Sequence, residues 1–138
     1  MITATTAAAI RAAVAARVAV AFPAAHDATA DAAALSPARL PAYAVTAQRV
    51  AASTVAMGSA LQQVGDRVTV SWWAVGGPEL RASLDTAAQA IGDAVTAAPR
   101  DLAGLAFDVS PAGADVVLEA GEQRAGRAEV VFDIAYFI

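Results

Sequence analysis

The sequence predicts an α+β fold: a mixed, mostly antiparallel β-sheet packed by two α-helices, in the order helix, strands, helix, C-terminal hairpin. Three runs carry this expectation. Residues 127–138 alternate with a period of two, placing Ala128, Val130, Phe132, Ile134, Tyr136 and Ile138 on one face. Arg67 to Ala74 alternates in the same way. Leu80, Leu84, Ala87, Ile91 and Val95 recur at helical spacing. A chain of 138 residues is expected to form a single domain, residues 1–138, large enough for a real core.

The first helix is expected over residues 4–21. Thr3, Thr5 and Thr6 are available as N-caps, Ile10, Val14 and Val18 form a stripe, and Phe22-Pro23 ends the run. Residues 26–41, with Pro37 and Pro41, read as a loop. A strand is expected to start at Leu40-Pro41-Ala42-Tyr43-Ala44-Val45, with proline where a missing N–H costs least. Residues 48–64 fit either period. Val50, Met57, Leu61 and Val64 would share a helix face, but Gly58 and the β-branched residues favour extended structure with a long hairpin.

Gly65-Asp66 reads as a turn before the Arg67–Ala74 strand. Val68, Val70, Trp72 and Ala74 fall on one face of that strand, and Arg67, Thr69, Ser71 and Trp73 on the other. Gly76-Gly77-Pro78-Glu79 then opens the second helix, with Pro78 at its first position, and Pro99 stops it. Leu105–Val109 reads as a short strand before Pro111 and Gly113. Val116, Leu118 and Ala120 alternate again, and Gly121–Gly126 turns the chain into the last strand. Burying Val130, Phe132, Ile134 and Tyr136 there contributes roughly 6–10 kcal/mol as an upper bound.

Composition narrows function. The net charge of −4 argues against electrostatic nucleic-acid binding. Charged residues make up 16%, against a usual ~25%, so part of the surface is expected to lie under another subunit. All nine basic residues are arginine, a pattern of GC-rich coding. Met1–Ala25 is interrupted by Arg11 and Arg17 and reads as an amphipathic helix, not a targeting peptide. No run reaches the ~18 apolar residues of a membrane span.

No catalytic set assembles from the residue types. The single His26 beside Asp27 would need Ser36 or Ser53 to form a triad, and nothing in the sequence brings them together. With one histidine and no cysteine, no metal site is expected. Asp27 with Asp31, and Glu119 with Glu122, read as solubilising pairs rather than acid–base pairs. Gly121–Ala128 has the glycine spacing of a Walker A loop but lacks its Lys and Ser/Thr. Gly76-Gly77 reads as a strand-to-helix turn rather than an anion site.

The adjacent Trp72 and Trp73 must point to opposite faces, one into the core and one outward. Trp73, with Val131 and Phe137 on the nominally polar face of the last strand, are therefore the candidate subunit or partner contacts. Replacing Phe137 by a charged residue is expected to weaken assembly and leave the protomer folded.

Four segments carry a resemblance: Ala9–Val14, Leu40–Val45, Arg67–Trp73 leading into residues 78–98, and Gly126–Phe137 with its late tyrosine. On these the chain resembles the tail terminator proteins of long-tailed phages, the lambda-like minor tail protein U group. The resemblance implies a structural protein, not an enzyme, with no cofactor and no catalytic residues. It implies a homo-hexameric ring on the major tail tube protein that ends tail elongation and offers a surface to the head–tail connector or completion protein. It places the protein at the head-proximal end of the virion tail, after assembly in the host cytoplasm, with no membrane partner. DNA would pass through the ring without specific binding, in keeping with the acidic balance. The Ala-rich, nearly uncharged residues 48–64 depart from the exposed interface loop expected there. The alternatives are another head–tail joining or head-completion protein, or a small oligomeric cellular α+β domain that binds a ligand between helix and sheet.

Overall fold

The computed structural model describes residues 5–29, 40–54, 62–97, 102, 104–106, 108–119 and 125–138. Helix α1 (Ala7–Ala21) starts where the Thr6 side chain accepts the Ala9 N–H at 3.1 Å, the bond that makes threonine a good N-cap. It buries Ile10, Val14 and Val18 completely. Ahead of it, the Thr5 N–H donates to the Phe137 carbonyl at 2.6 Å and ties the start of the helix to the last strand.

Strand β1 (His26–Asp27) is a short departure from the expected loop, paired in parallel with the first two residues of β2 (Ala42–Thr54). β3 (Gln62–Val75), α2 (Leu80–Val95), β4 (Asp108–Glu119) and β5 (Ala125–Phe137) complete the chain. The sheet order is β1-β2-β3-β5-β4, antiparallel except at β1–β2. The α+β class and the order helix, strands, helix, strands are as the sequence predicts. Both helices lie on one face, where Val64, Val68, Val70 and Trp72 of β3 meet Ala128, Val130, Phe132, Ile134 and Tyr136 of β5. Trp72 packs against Phe22, ring centroids 4.4 Å apart.

Several boundaries differ from expectation. Gly65-Asp66 is not a turn: β3 runs straight through it, and Asp66 sits in phase with Val64 and Val68 on the core face. A charge is tolerated there because two partners satisfy its carboxylate. Residues 48–54 and 62–64 are extended, as favoured; residues 55–61, with Met57, Gly58 and Leu61, lie outside the described residues. So do Asp31, Ser36, Pro37, Pro99, Ala120 and Gly121 to Arg124.

The second helix begins at Leu80, with Glu79 as N-cap, so Pro78 precedes it instead of opening it. At its other end the Arg17 guanidinium donates to the Val95 carbonyl at 3.0 Å and to that of Ala97, satisfying oxygens that a helix C-terminus leaves open. β4 does not stop before Pro111. It passes through proline with a register shift between Pro111 and Gly113, which an edge strand permits because its outer N–H groups need no ladder partner. Gly126 lies within β5. Ile138 falls past the strand and is exposed, although its backbone still bonds to Gln62.

Candidate interaction surfaces

The three residues expected to make contacts all lie on the helix-free face, each half-buried. Trp73 stands beside Ala42 and Arg127, Val131 beside Thr69 and Gly113, and Phe137 beside Gln63. From the Trp73 row to the Phe137 row is ten residues of β5, about 33 Å. They do not form one patch. Between them run charged rows, with Arg127 Nε 3.3 Å from Glu129 Oε1 and Arg67 Nε 3.3 Å from Asp133 Oδ1. These pairs sit at half-exposed positions, keep the middle of the face wet and add little stability.

Two residues not singled out in the sequence extend the Trp73 end. Val117 is 40% exposed and flanks Arg127 across from Trp73, and Val75 lies one row further on. The signal was present in the Val116-Val117-Leu118 run: three consecutive apolar residues of a strand must place at least one on each face. Leu118, on the helix side, is 41% exposed although it approaches the same spot over Gly126 as Leu80 and Leu84 of α2. Further along β4 a groove of about 580 Å³ runs between α2 and β4, walled by Arg81, Asp85 and Asp93 and floored by Ala114, Val116 and Phe132.

Among the described residues the edges of the sheet are open over long stretches, and the one strand that pairs with β4 is β5. On the other side, β1 covers β2 at Ala42 and Tyr43, and the Val45 N–H reaches the Thr29 hydroxyl at 3.2 Å. Beyond Val45 no strand pairs the outer edge of β2 among the described residues. From Thr46 to Ser53 β2 is exposed on both faces apart from Ala47, and Val50, at its register shift, is 51% exposed.

At the root of that open half lies a polar cluster. Asp66, with its side chain 3% exposed, accepts from Arg49 Nε at 2.8 Å and from the Tyr136 hydroxyl at 2.6 Å. Arg49 Nη2 also donates to the Tyr136 oxygen at 3.1 Å, closing a triangle across β2, β3 and β5. Burial, and then the neighbouring Asp66, push the Tyr136 phenol above its usual value near 10, against the lowering effect of Arg49. The late tyrosine thus has a structural role. The phase of the alternation signalled it, since Asp66 falls among the core-facing valines.

Among the described residues, those weighed for chemistry do not meet; Asp31, Ser36 and Glu122 lie outside them. His26 lies in β1, and the Asp27 carboxylate accepts from Thr29 at 3.0 Å and 2.7 Å. Ser53 is eleven residues along β2 from the β1 pairing, about 36 Å away. Among the described residues no group of three or more His, Cys, Asp or Glu is placed to hold a metal, and no helix is long and apolar enough to cross a membrane. A second groove of about 750 Å³ is lined by Phe22, Leu40, Trp72 and Ala87, without Tyr43. No protein-family model matches the sequence, and a search of curated proteins returns no match.

Proposed function

We propose that this protein is a structural virion component of the tail-terminator kind: a ring of identical subunits that caps the tail tube of a long-tailed phage, ends its growth and presents a surface to the head connector. The observation that carries the reading is a pair of sheet edges with long stretches unpaired among the described residues, on a chain with few charges. Open edges invite strand pairing and are a liability on an isolated subunit unless something covers them. The segment resemblance names the kind of assembly, and the net negative charge suits a channel through which DNA slides without being held.

Electron microscopy of the purified protein tests this directly, with rings around a central hole as the expected result. Light scattering should report a mass of several protomers, and added protein should arrest polymerising tail tubes. A strictly monomeric protein that also ignores tail tubes would sink the proposal. The Trp72-lined groove supports a second reading, a ligand-binding domain. A small molecule retained through native mass spectrometry would favour it.

A further inference from the structure

We infer that neighbouring subunits join edge to edge and head to tail, the open edge of β4 in one copy pairing with the open half of β2 in the next. The inference rests on the ring reading and names the surfaces that build it. β4 shows two independent marks of a missing strand. From Ser110 onward its outer edge has no strand partner among the described residues. On its helix side Ala114 and Leu118 are exposed and Val116 is only half-covered, with Ala114 and Val116 flooring the α2–β4 groove. An added strand would satisfy the edge and lay its own side chains over that floor.

The occupant follows from strand direction and charge. β2 runs antiparallel to β3, β3 to β5 and β5 to β4, so β4 and β2 run in opposite directions. A copy placed alongside in the same orientation brings β2 against β4 as an antiparallel neighbour, with all helices on one side. Both edges of every subunit are then covered by one repeated contact between two different surfaces. Such a heterologous contact closes into a ring when its rotation divides a full turn. β4 carries Asp108, Asp115 and Glu119 and no base, whereas β2 carries Arg49 and no acid. Pairing β4 with another β4 would bring acids together; pairing it with β2 does not.

The natural chain has no cysteine, so introduced thiols are unambiguous. Gln48→Cys on β2 and Val117→Cys on β4 are both exposed and point to the helix-free side. Each variant is purified, checked for native circular dichroism, and treated with a short bismaleimide alone and as an equal mixture, with light scattering in parallel. Ser53→Cys mixed with Val117→Cys provides a second pair for a shifted register. The expected result is a covalent dimer in at least one mixture and none in any variant alone. A dimer from Val117→Cys alone would overturn the inference in favour of β4–β4 pairing. Ring-sized mass without cross-links in either mixture would overturn the edge pairing and leave the ring reading intact. A monomer without cross-links would overturn the edge pairing, and one that also ignores tail tubes would overturn the ring reading as well.

Discussion

β5 and β4 lie side by side, run antiparallel and have nearly equal lengths of 13 and 12 residues, yet they differ in what covers them. From Gly126 to Tyr136 every second residue of β5 is buried, and the residues between are half-covered. On β4 Val109 is buried, Ser110 and Val116 are half-buried, and the others with described burial are exposed. Two things explain this. β5 has a strand on each side and β4, among the described residues, on one side only, which accounts for the helix-free face. On the other face α2 packs over β5 and β3 and turns its polar flank toward β4. Being in a sheet and being in a core are therefore separate conditions, and β4 meets the first without the second.

The contrast makes graded predictions. Phe132→Ala in β5 removes a fully buried ring and should destabilise the protomer by about 3–5 kcal/mol, read from urea unfolding. Val117→Ala in β4 should change protomer stability by less than about 0.5 kcal/mol; a comparable loss at both sites would erase the distinction. Asp66→Ala strands the Tyr136 hydroxyl and loosens Arg49, and should cost about 3 kcal/mol, tempered by the 41% exposure of Arg49. Gly126→Ala sets a methyl group 2.5 Å from Leu84 Cδ1 and should cost about 1–2 kcal/mol as that leucine shifts.

The smallest effect is on pH dependence. Because the folded Tyr136 pKa lies above its usual value near 10, folding favours the protonated phenol. That contribution is fully present below pH 10 and is lost as pH rises through the folded pKa. Melting temperature should fall on the alkaline side, and Tyr136→Phe should fall less steeply there while starting lower. Parallel alkaline profiles for the two proteins would show that Tyr136 is not the source of the alkaline loss.

The parts of the fold legible in the sequence were those where one period dominates. The α2 stripe and the alternation of β3 and β5 are repeated over many residues, so a single exception does not hide them. Gly65-Asp66 was misread because the pair is locally a turn signal. What overrides it is tertiary: an arginine 17 residues away and a tyrosine 70 residues away supply the carboxylate's partners. Pro111 misled for a related reason, since its tolerance depends on β4 being an edge, a property of strand order rather than of local sequence. The outward placement of Trp73, Val131 and Phe137 followed from alternation, but the distance separating them and the apolar company of Val75 and Val117 required the register.

The place of β5 bears on how the chain reaches this structure. β5 follows every other element in sequence but lies between β3 and β4, pairing residue 63 with residue 137. Until it inserts, the sheet is in two pieces: β4 has no other strand partner among the described residues, and β3 presents a bare edge. Such long-range closure is slow compared with forming the β2–β3 hairpin. In pulse-labelling exchange the β3 amides that face β5 and the β4 amides should therefore gain protection together, after those that face β2, with β5 as the keystone of a single late step.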